Sequence, residues 1–433
     1  MSEIANAVVA EWLEETDLPD LIERDVPHPP LGKIPQVLAV VGPRRAGKTF
    51  YFFQLIKQLI REGTPKSDIL FVDFEDYRLA EIREDPMARL LEAFHRMTGH
   101  LPRYIFLDEI QQLPGWSRVV RTLHNRRGLR VAISGSNSHL LGREVATELR
   151  GRCLECRMLP FSFPEILRLR DMQFSRRQAH TAARGSLLAA FGDFLRHGGF
   201  PDVARAVDAR HRRGLLQGYF ETIYYKDILE RHDIRAKETL AAMMRHAVDQ
   251  AGELFSLTAF AKTLKARGLD ASKRTLSHYL GYLEDAFFVI AVEKFAFSQR
   301  QRTANPVKCY LLDTGFRQLG VPFSDDRGKL LENLVAIELR RRGADFFYFR
   351  DRVECDFVVV DAGRPVSGVQ VCWEMNDKNR AREIAGLRAA RDHLGTKAGW
   401  VLTHNQAGEE DGFRLVPVWQ WLLGWENLAG TGI

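Results

Sequence analysis

The stretch Gln36-Val37-Leu38-Ala39-Val40-Val41-Gly42-Pro43-Arg44-Arg45-Ala46-Gly47-Lys48-Thr49-Phe50 carries the strongest structural signal in the chain. Its first six residues form a short apolar, β-branched run, the pattern of a strand buried on both faces. Apolar positions then recur at helical spacing from Phe50 to Arg61. A glycine loop between strand and helix has one well-understood physical use. Gly42 and Gly47 let the backbone curl until its N–H groups converge on phosphate oxygens, with the positive end of the following helix behind them. Lys48 is expected to reach the β and γ phosphates, and Thr49 to offer its hydroxyl to Mg²⁺. Gly42, Pro43, Arg44, Arg45, Ala46, Gly47, Lys48, Thr49 and Phe50 are therefore the expected nucleotide-binding residues, with ATP and Mg²⁺ as cofactors.

Further along, Arg103-Tyr-Ile-Phe-Leu-Asp108-Glu109 is an apolar strand ending in two carboxylates. Asp108 is expected to hold Mg²⁺ through water, and Glu109, facing the other way, to orient and deprotonate an attacking water. A third apolar strand, Arg130 to Ser134, runs into Gly135-Ser136-Asn137, so Asn137 or Ser136 is expected to sense the γ-phosphate. Leu149-Arg150-Gly151-Arg152 follows, and either arginine, Arg152 in preference to Arg150, is expected to stabilise transition-state charge in a neighbouring subunit. The expected catalytic set is Glu109, Lys48, Asn137 and Arg152.

The chain has 433 residues, more than one hydrophobic core usually organises, so several domains are expected. Its 45% hydrophobic and 27% charged residues are ordinary for a globular protein and leave little room for disorder. A net charge of +6 permits attraction to a polyanion but decides nothing, because 62 basic residues stand against 56 acidic ones. The five cysteines and the absence of a basic-then-apolar leader predict a cytoplasmic protein without a disulfide framework. Ala286 to Val292 is the longest apolar run, too short for a bilayer, so no membrane partner is expected. Cys153 and Cys156 form a C-x-x-C, but on a strand they would face opposite sides, and they read as packed cysteines.

In order and type these elements resemble the AAA+ superfamily. The motifs Gly-Pro-Arg-Arg-Ala-Gly-Lys-Thr (42–49), Leu-Asp-Glu-Ile-Gln (107–111), Ser-Gly-Ser-Asn (134–137), Leu-Pro-Phe-Ser-Phe-Pro-Glu (159–165) and His-Gly-Gly-Phe-Pro (197–201) resemble prokaryotic AAA+ ATPases with a C-terminal domain of unknown function. That resemblance implies ATP hydrolysis, a P-loop three-layer α/β sandwich with a helical lid, and assembly into a ring, expected to be a homo-hexamer. The expected division is an N-terminal extension (1–35), the nucleotide-binding α/β domain (36–163), the helical lid (164–235), a winged-helix domain (236–325) and a nuclease-like α/β domain (326–433).

The winged helix is read from Ser256 to Leu264, a turn at Gly268, and Ser272 as the cap of a helix reaching Ala286. Lys273, Arg274 and His278 would then lie early on a DNA-recognition helix, or the module would serve only to pack domains together. The last domain resembles the PD-(D/E)XK nuclease fold, with a helix Glu332 and a strand Asp356, and here Gln370 and Cys372 stand where an acid and a lysine are expected. Those substitutions remove a hard metal ligand and the cation that would orient water, so cutting is not expected without a rearranged site drawing on Glu374 and Lys378. Arg340, Arg341, Arg342, Arg350 and Arg352 would supply phosphate-binding charge. The combined expectation is an oligomeric ATPase coupling Mg-dependent hydrolysis to binding or remodelling of DNA, duplex or branched. Its rivals are a switch acting on protein partners without DNA, and an ATP-driven, metal-dependent nuclease.

Overall fold

Five segments of Met1–Leu159, the first four mainly apolar, pair as parallel strands: β1 (Val37–Val41), β2 (Ile69–Asp73), β3 (Tyr104–Asp108), β4 (Arg130–Gly135) and β5 (Cys153–Arg157), in the order β2-β3-β4-β1-β5. The computed structural model describes residues 2–82, 84–136, 151–321 and 327–428, and the chain divides into two units, Met1–Leu159 and Pro160–Ile433. Strand β1, between β4 and β5, is buried along its whole length, as its unbroken apolar sequence requires. Helices α1 (Ser2–Glu14), α2 (Lys48–Arg61), α3 (Pro86–Thr98) and α4 (Trp116–His124) complete the P-loop sandwich. Because the strands are parallel, all their carboxyl ends meet at one edge, which gathers Gly42, Asp108-Glu109 and Ser134 to Ser136. The N-terminal extension belongs to the same unit, with the Trp12 indole N–H donating to the Ile69 carbonyl at 2.6 Å.

The second unit opens with helices α5 (Phe163–Leu169), α6 (Arg184–His197), α7 (Pro201–Arg205) and α8 (Ala209–Thr222), the last continuing into a π-helical turn over Ile223–Glu230. Ser162 and Glu165 close a reciprocal capping box on α5, and Gly198-Gly199 separates α6 from α7 as expected. A winged helix follows: α9 (Lys237–Asp249), β6 (Glu253–Phe255), α10 (Leu257–Ala266), α11 (Lys273–Asp285), β7 (Val289–Val292), α12 (Gln299–Ala304) and β8 (Val307–Leu311), with the strands in the antiparallel order β6-β8-β7. Ser256 and Ser272 cap α10 and α11 through the Ala259 and Thr275 N–H groups. One buried apolar cluster joins Leu216, Ile223 and Ile228 to Leu240, Leu276, Phe288 and Leu311, so the lid helices and the winged helix share a core.

The C-terminal domain is α13 (Arg327–Arg341), β9 (Asp345–Arg350), β10 (Glu354–Asp361), β11 (Arg364–Cys372), α14 (Arg380–Leu394), β12 (Ala398–Thr403), β13 (Gly408–Glu410), β14 (Phe413–Pro417) and α15 (Val418–Leu422). β9, β10 and β11 pair antiparallel, and β12 joins β11 in parallel, the helix, three strands, helix, strand arrangement of restriction-endonuclease-like folds. Among the described residues no helix is long and apolar enough to cross a membrane.

Candidate nucleotide site and the acidic centre of the C-terminal domain

The phosphate loop owes its shape to three backbone features. Arg45 and Gly47 have φ of 65° and 94°, turning successive N–H groups inward. A Cβ on Gly42 would meet the Met158 carbonyl oxygen at 1.9 Å, so only glycine allows the loop to leave β1 beside the residue after β5. Lys48 is buried, its ammonium donating to the Gly42 and Pro43 carbonyls at 3.2 and 3.1 Å and pairing with Glu109 Oε1 at 3.2 Å. Arg44 reaches Glu75, just beyond β2, at 2.8 Å. Phe50 is exposed on α2.

Asp108 is the hub. Thr49 Oγ1 donates to its Oδ2 at 2.5 Å and Ser134 Oγ donates to its Oδ1. Burial raises its pKa to about 6, against the opposing pull of the two hydroxyls and Lys48. Glu109 behaves oppositely: burial pulls it up, but Lys48, Gln111 and Arg44 outweigh that and hold it below the usual carboxylate range. It sits at φ 46°, a left-handed conformation unusual outside glycine, with its N–H donating to Ser134 Oγ at 2.9 Å. Gln111 donates to Glu109 Oε2 and, at 3.3 Å, to Ser136 Oγ. A hydroxyl and a carboxylate side by side are the hard oxygen donors that suit Mg²⁺, and the inward-turned loop with Lys48 suits a triphosphate. When bound, Mg²⁺ would supply charge neutralisation across the phosphates, held by Thr49 and Asp108.

Ser136 therefore reaches the Glu109 neighbourhood through Gln111, whereas Asn137 and Arg150 lie outside the described residues. Arg152 is exposed and directly precedes β5, beside Val37 at the amino end of β1 and away from the loop at its carboxyl end. Ser134 and Gln111 stand in the quoted motifs without an expected role, and Glu75 and Arg24 stand in none. Arg24 is buried and clamps the loop from behind, donating to the Ala46 and Leu159 carbonyls at 2.6 Å each. No local pattern announces it, because its partners lie far along the chain. Ser134 did leave a signal, a lone hydroxyl near the end of an otherwise apolar strand.

The expected nuclease-like residues separate into two groups. Glu332 and Asp356 do come together, around the Lys308 ammonium of β8, which is 2.9 Å from Glu332 Oε1, 3.1 Å from Asp356 Oδ1 and 2.6 Å from Glu354 Oε1. The expectation that no cation serves this centre is thus corrected: the lysine arrives from the winged-helix sheet instead of β11, a pairing only tertiary folding creates. Gln370 donates to Glu383 of α14 at 2.7 Å and accepts from the Asp356 N–H at 3.3 Å. Cys372 packs in an apolar cluster with Ile384 and Leu387. Glu374 and Lys378 lie exposed beyond the end of β11. Two of the arginines expected to bind phosphate are turned inward, Arg341 and Arg342 both pairing with Glu338 and donating to the Pro160 and Trp421 carbonyls. Among the described residues no group of three or more His, Cys, Asp and Glu side chains is arranged to hold a metal ion.

Residues 35–167 match the family described as AAA domain, and 188–325 and 327–421 match two families described as Domain of unknown function (DUF8612) and Domain of unknown function (DUF4143). The uncharacterized protein MJ1544 of Methanocaldococcus jannaschii is 31% identical, over 96% of this chain and 94% of its own length. An uncharacterized protein of Haemophilus influenzae is 27% identical over 89% and 94% of the two chains. Among solved structures, the Walker-type ATPase PABY2304 of Pyrococcus abyssi aligns over 74% of this chain and 95% of its own, with a TM-score of 0.41 and 14% identity.

Proposed function

The chain belongs to the family of P-loop ATPases that join an AAA domain to a C-terminal domain of unknown function, and from that premise we propose that it hydrolyses ATP with Mg²⁺ in a homo-oligomer, a hexameric ring, and couples turnover to binding or remodelling DNA. The observation that carries the hydrolysis is the division of labour at the strand ends. Asp108, joined to Thr49, provides the metal side, and Glu109, ionised and separate, provides a base for water. Lys48 and Gln111 both hold Glu109, so a phosphate that draws Lys48 toward itself frees one of its oxygens. Ser136 stands beside this pair as the γ-phosphate sensor. Arg152 lies at the far end of the sheet from its own loop, which supports a role in a neighbouring subunit's site.

DNA binding is supported by the exposed face of the winged helix. Lys262, Lys265 and Arg267 from α10 and its end, and Lys273, Arg274 and His278 from α11, are all exposed, with Asp270 the one acid in that stretch. Glu284 lies on the same helix face as Lys273, three turns further along, and accepts from the Ala291 N–H at 3.1 Å. Recognition would place α11 in the major groove with α10 against the backbone.

Two measurements test the proposal. In ATPase assays Lys48→Ala should abolish tight nucleotide binding, whereas Glu109→Gln should still bind ATP and turn over about 10²-fold more slowly or worse. Full turnover by Glu109→Gln contradicts its role. Gel shifts with duplex, single-stranded and four-way DNA at two salt concentrations should find binding that weakens steeply with salt, and Lys273→Ala with Arg274→Ala should lower the salt slope by about 2. Absence of salt-sensitive binding to all three would leave the protein-partner reading in its place.

A further inference from the structure

The acidic centre of the C-terminal domain offers a conclusion independent of ATP and DNA. Lys308 is fully buried, and its ammonium touches three carboxylates supplied by α13 and β10. The second oxygens of Glu332 and Asp356 are also engaged. Tyr310 donates to Glu332 Oε1 at 2.6 Å, Lys329 lies 3.3 Å from Glu332 Oε2, and the Val371 N–H donates to Asp356 Oδ2 at 2.9 Å. Gln370, at the position of the missing acid, is spent on Glu383.

We infer that Lys308 is an internal cation standing where this fold would hold a divalent metal, so that the centre is an ionic clamp joining the winged-helix sheet to the C-terminal domain and binds no metal. The physical case rests on exchange. A divalent ion needs six or more oxygen ligands and normally keeps several waters, but here the carboxylates already share an ammonium that has no exposed surface. Entry would require expelling a buried charge, leaving Lys308 without its partners inside the protein, one of the most costly changes a core can undergo. The clamp also crosses a family boundary. Its lysine lies in the 188–325 segment and its acids in the 327–421 segment, so the two segments form one working module. Phosphodiester cutting by this centre is thereby excluded, and the domain's contribution is to hold the winged helix in place.

The test titrates Mn²⁺ into the nucleotide-free full-length protein and counts bound ion by electron paramagnetic resonance. Wild type and Asp356→Asn should bind the same number of ions, Lys308→Ala should gain one site, and Lys308→Ala with Asp356→Asn should lose it again. An Asp356-dependent site in the wild type overturns the inference, as does a folded Lys308→Ala that gains none. Should Lys308→Ala fail to fold, Lys308→Arg, which keeps the cation, is expected to fold and to show no Asp356-dependent Mn²⁺. Such a site in Lys308→Arg would equally overturn it.

Discussion

Asp108 sets the pH behaviour expected of the nucleotide site. Burial raises its pKa to about 6, so the free protein keeps the proton below that pH. A metal ligand must be deprotonated, so affinity for Mg²⁺-nucleotide should fall as pH drops through 6, approaching about tenfold per unit, and level off above about 7. Isothermal titration between pH 5 and 8 checks this, and Asp108→Asn should flatten the dependence while weakening binding throughout. Sequence spacing was enough to pair Asp108 with Thr49 and to separate it from Glu109, because alternation along a strand end and the position after the loop lysine leave little freedom. It was not enough to find Ser134, whose hydroxyl donates to Asp108 and accepts from the Glu109 N–H, joining the two acids across strands.

Strands β1, β3 and β4 were legible because each is an unbroken apolar run ending in small or charged residues. The elements that brace them were less so. The segment between α1 and β1 has no periodicity, yet through Arg24 it holds the Ala46 carbonyl in the middle of the phosphate loop. Arg24→Ala should therefore destabilise the first unit by about 3 kcal/mol, two hydrogen bonds from a charged group being lost, and weaken nucleotide binding with it. Chemical denaturation with and without ATP measures both effects, and a variant with wild-type stability and affinity would remove Arg24 from the loop's support. In the winged helix the capping serines announced α10 and α11 from the sequence. β6 and β8 did not announce themselves, being short and defined mainly by pairing with each other.

For the whole molecule, the sharpest expectation concerns assembly. If Arg152 acts across a subunit boundary, Arg152→Ala and Lys48→Ala should each be inactive alone, yet mixing them should restore part of the ATPase activity, because some interfaces then pair an intact loop with an intact arginine. Steady-state assays across mixing ratios read this directly, and inactivity at every ratio would remove Arg152 from catalysis. By itself the sequence determined the phosphate loop, the paired carboxylates, strands β1, β3 and β4, the capped helices α10 and α11, and the departure of Gln370 and Cys372 from a cutting site. Those features depend on residues close together in the chain, where spacing and side-chain chemistry leave few conformations. Only the tertiary structure decided that Lys308 fills the acidic centre, that Arg24 braces the loop, and that the lid helices share a core with the winged helix. The first two join groups 22 or more residues apart and the third joins separate helices, so each meeting is set by the packing of whole elements and not by any local pattern.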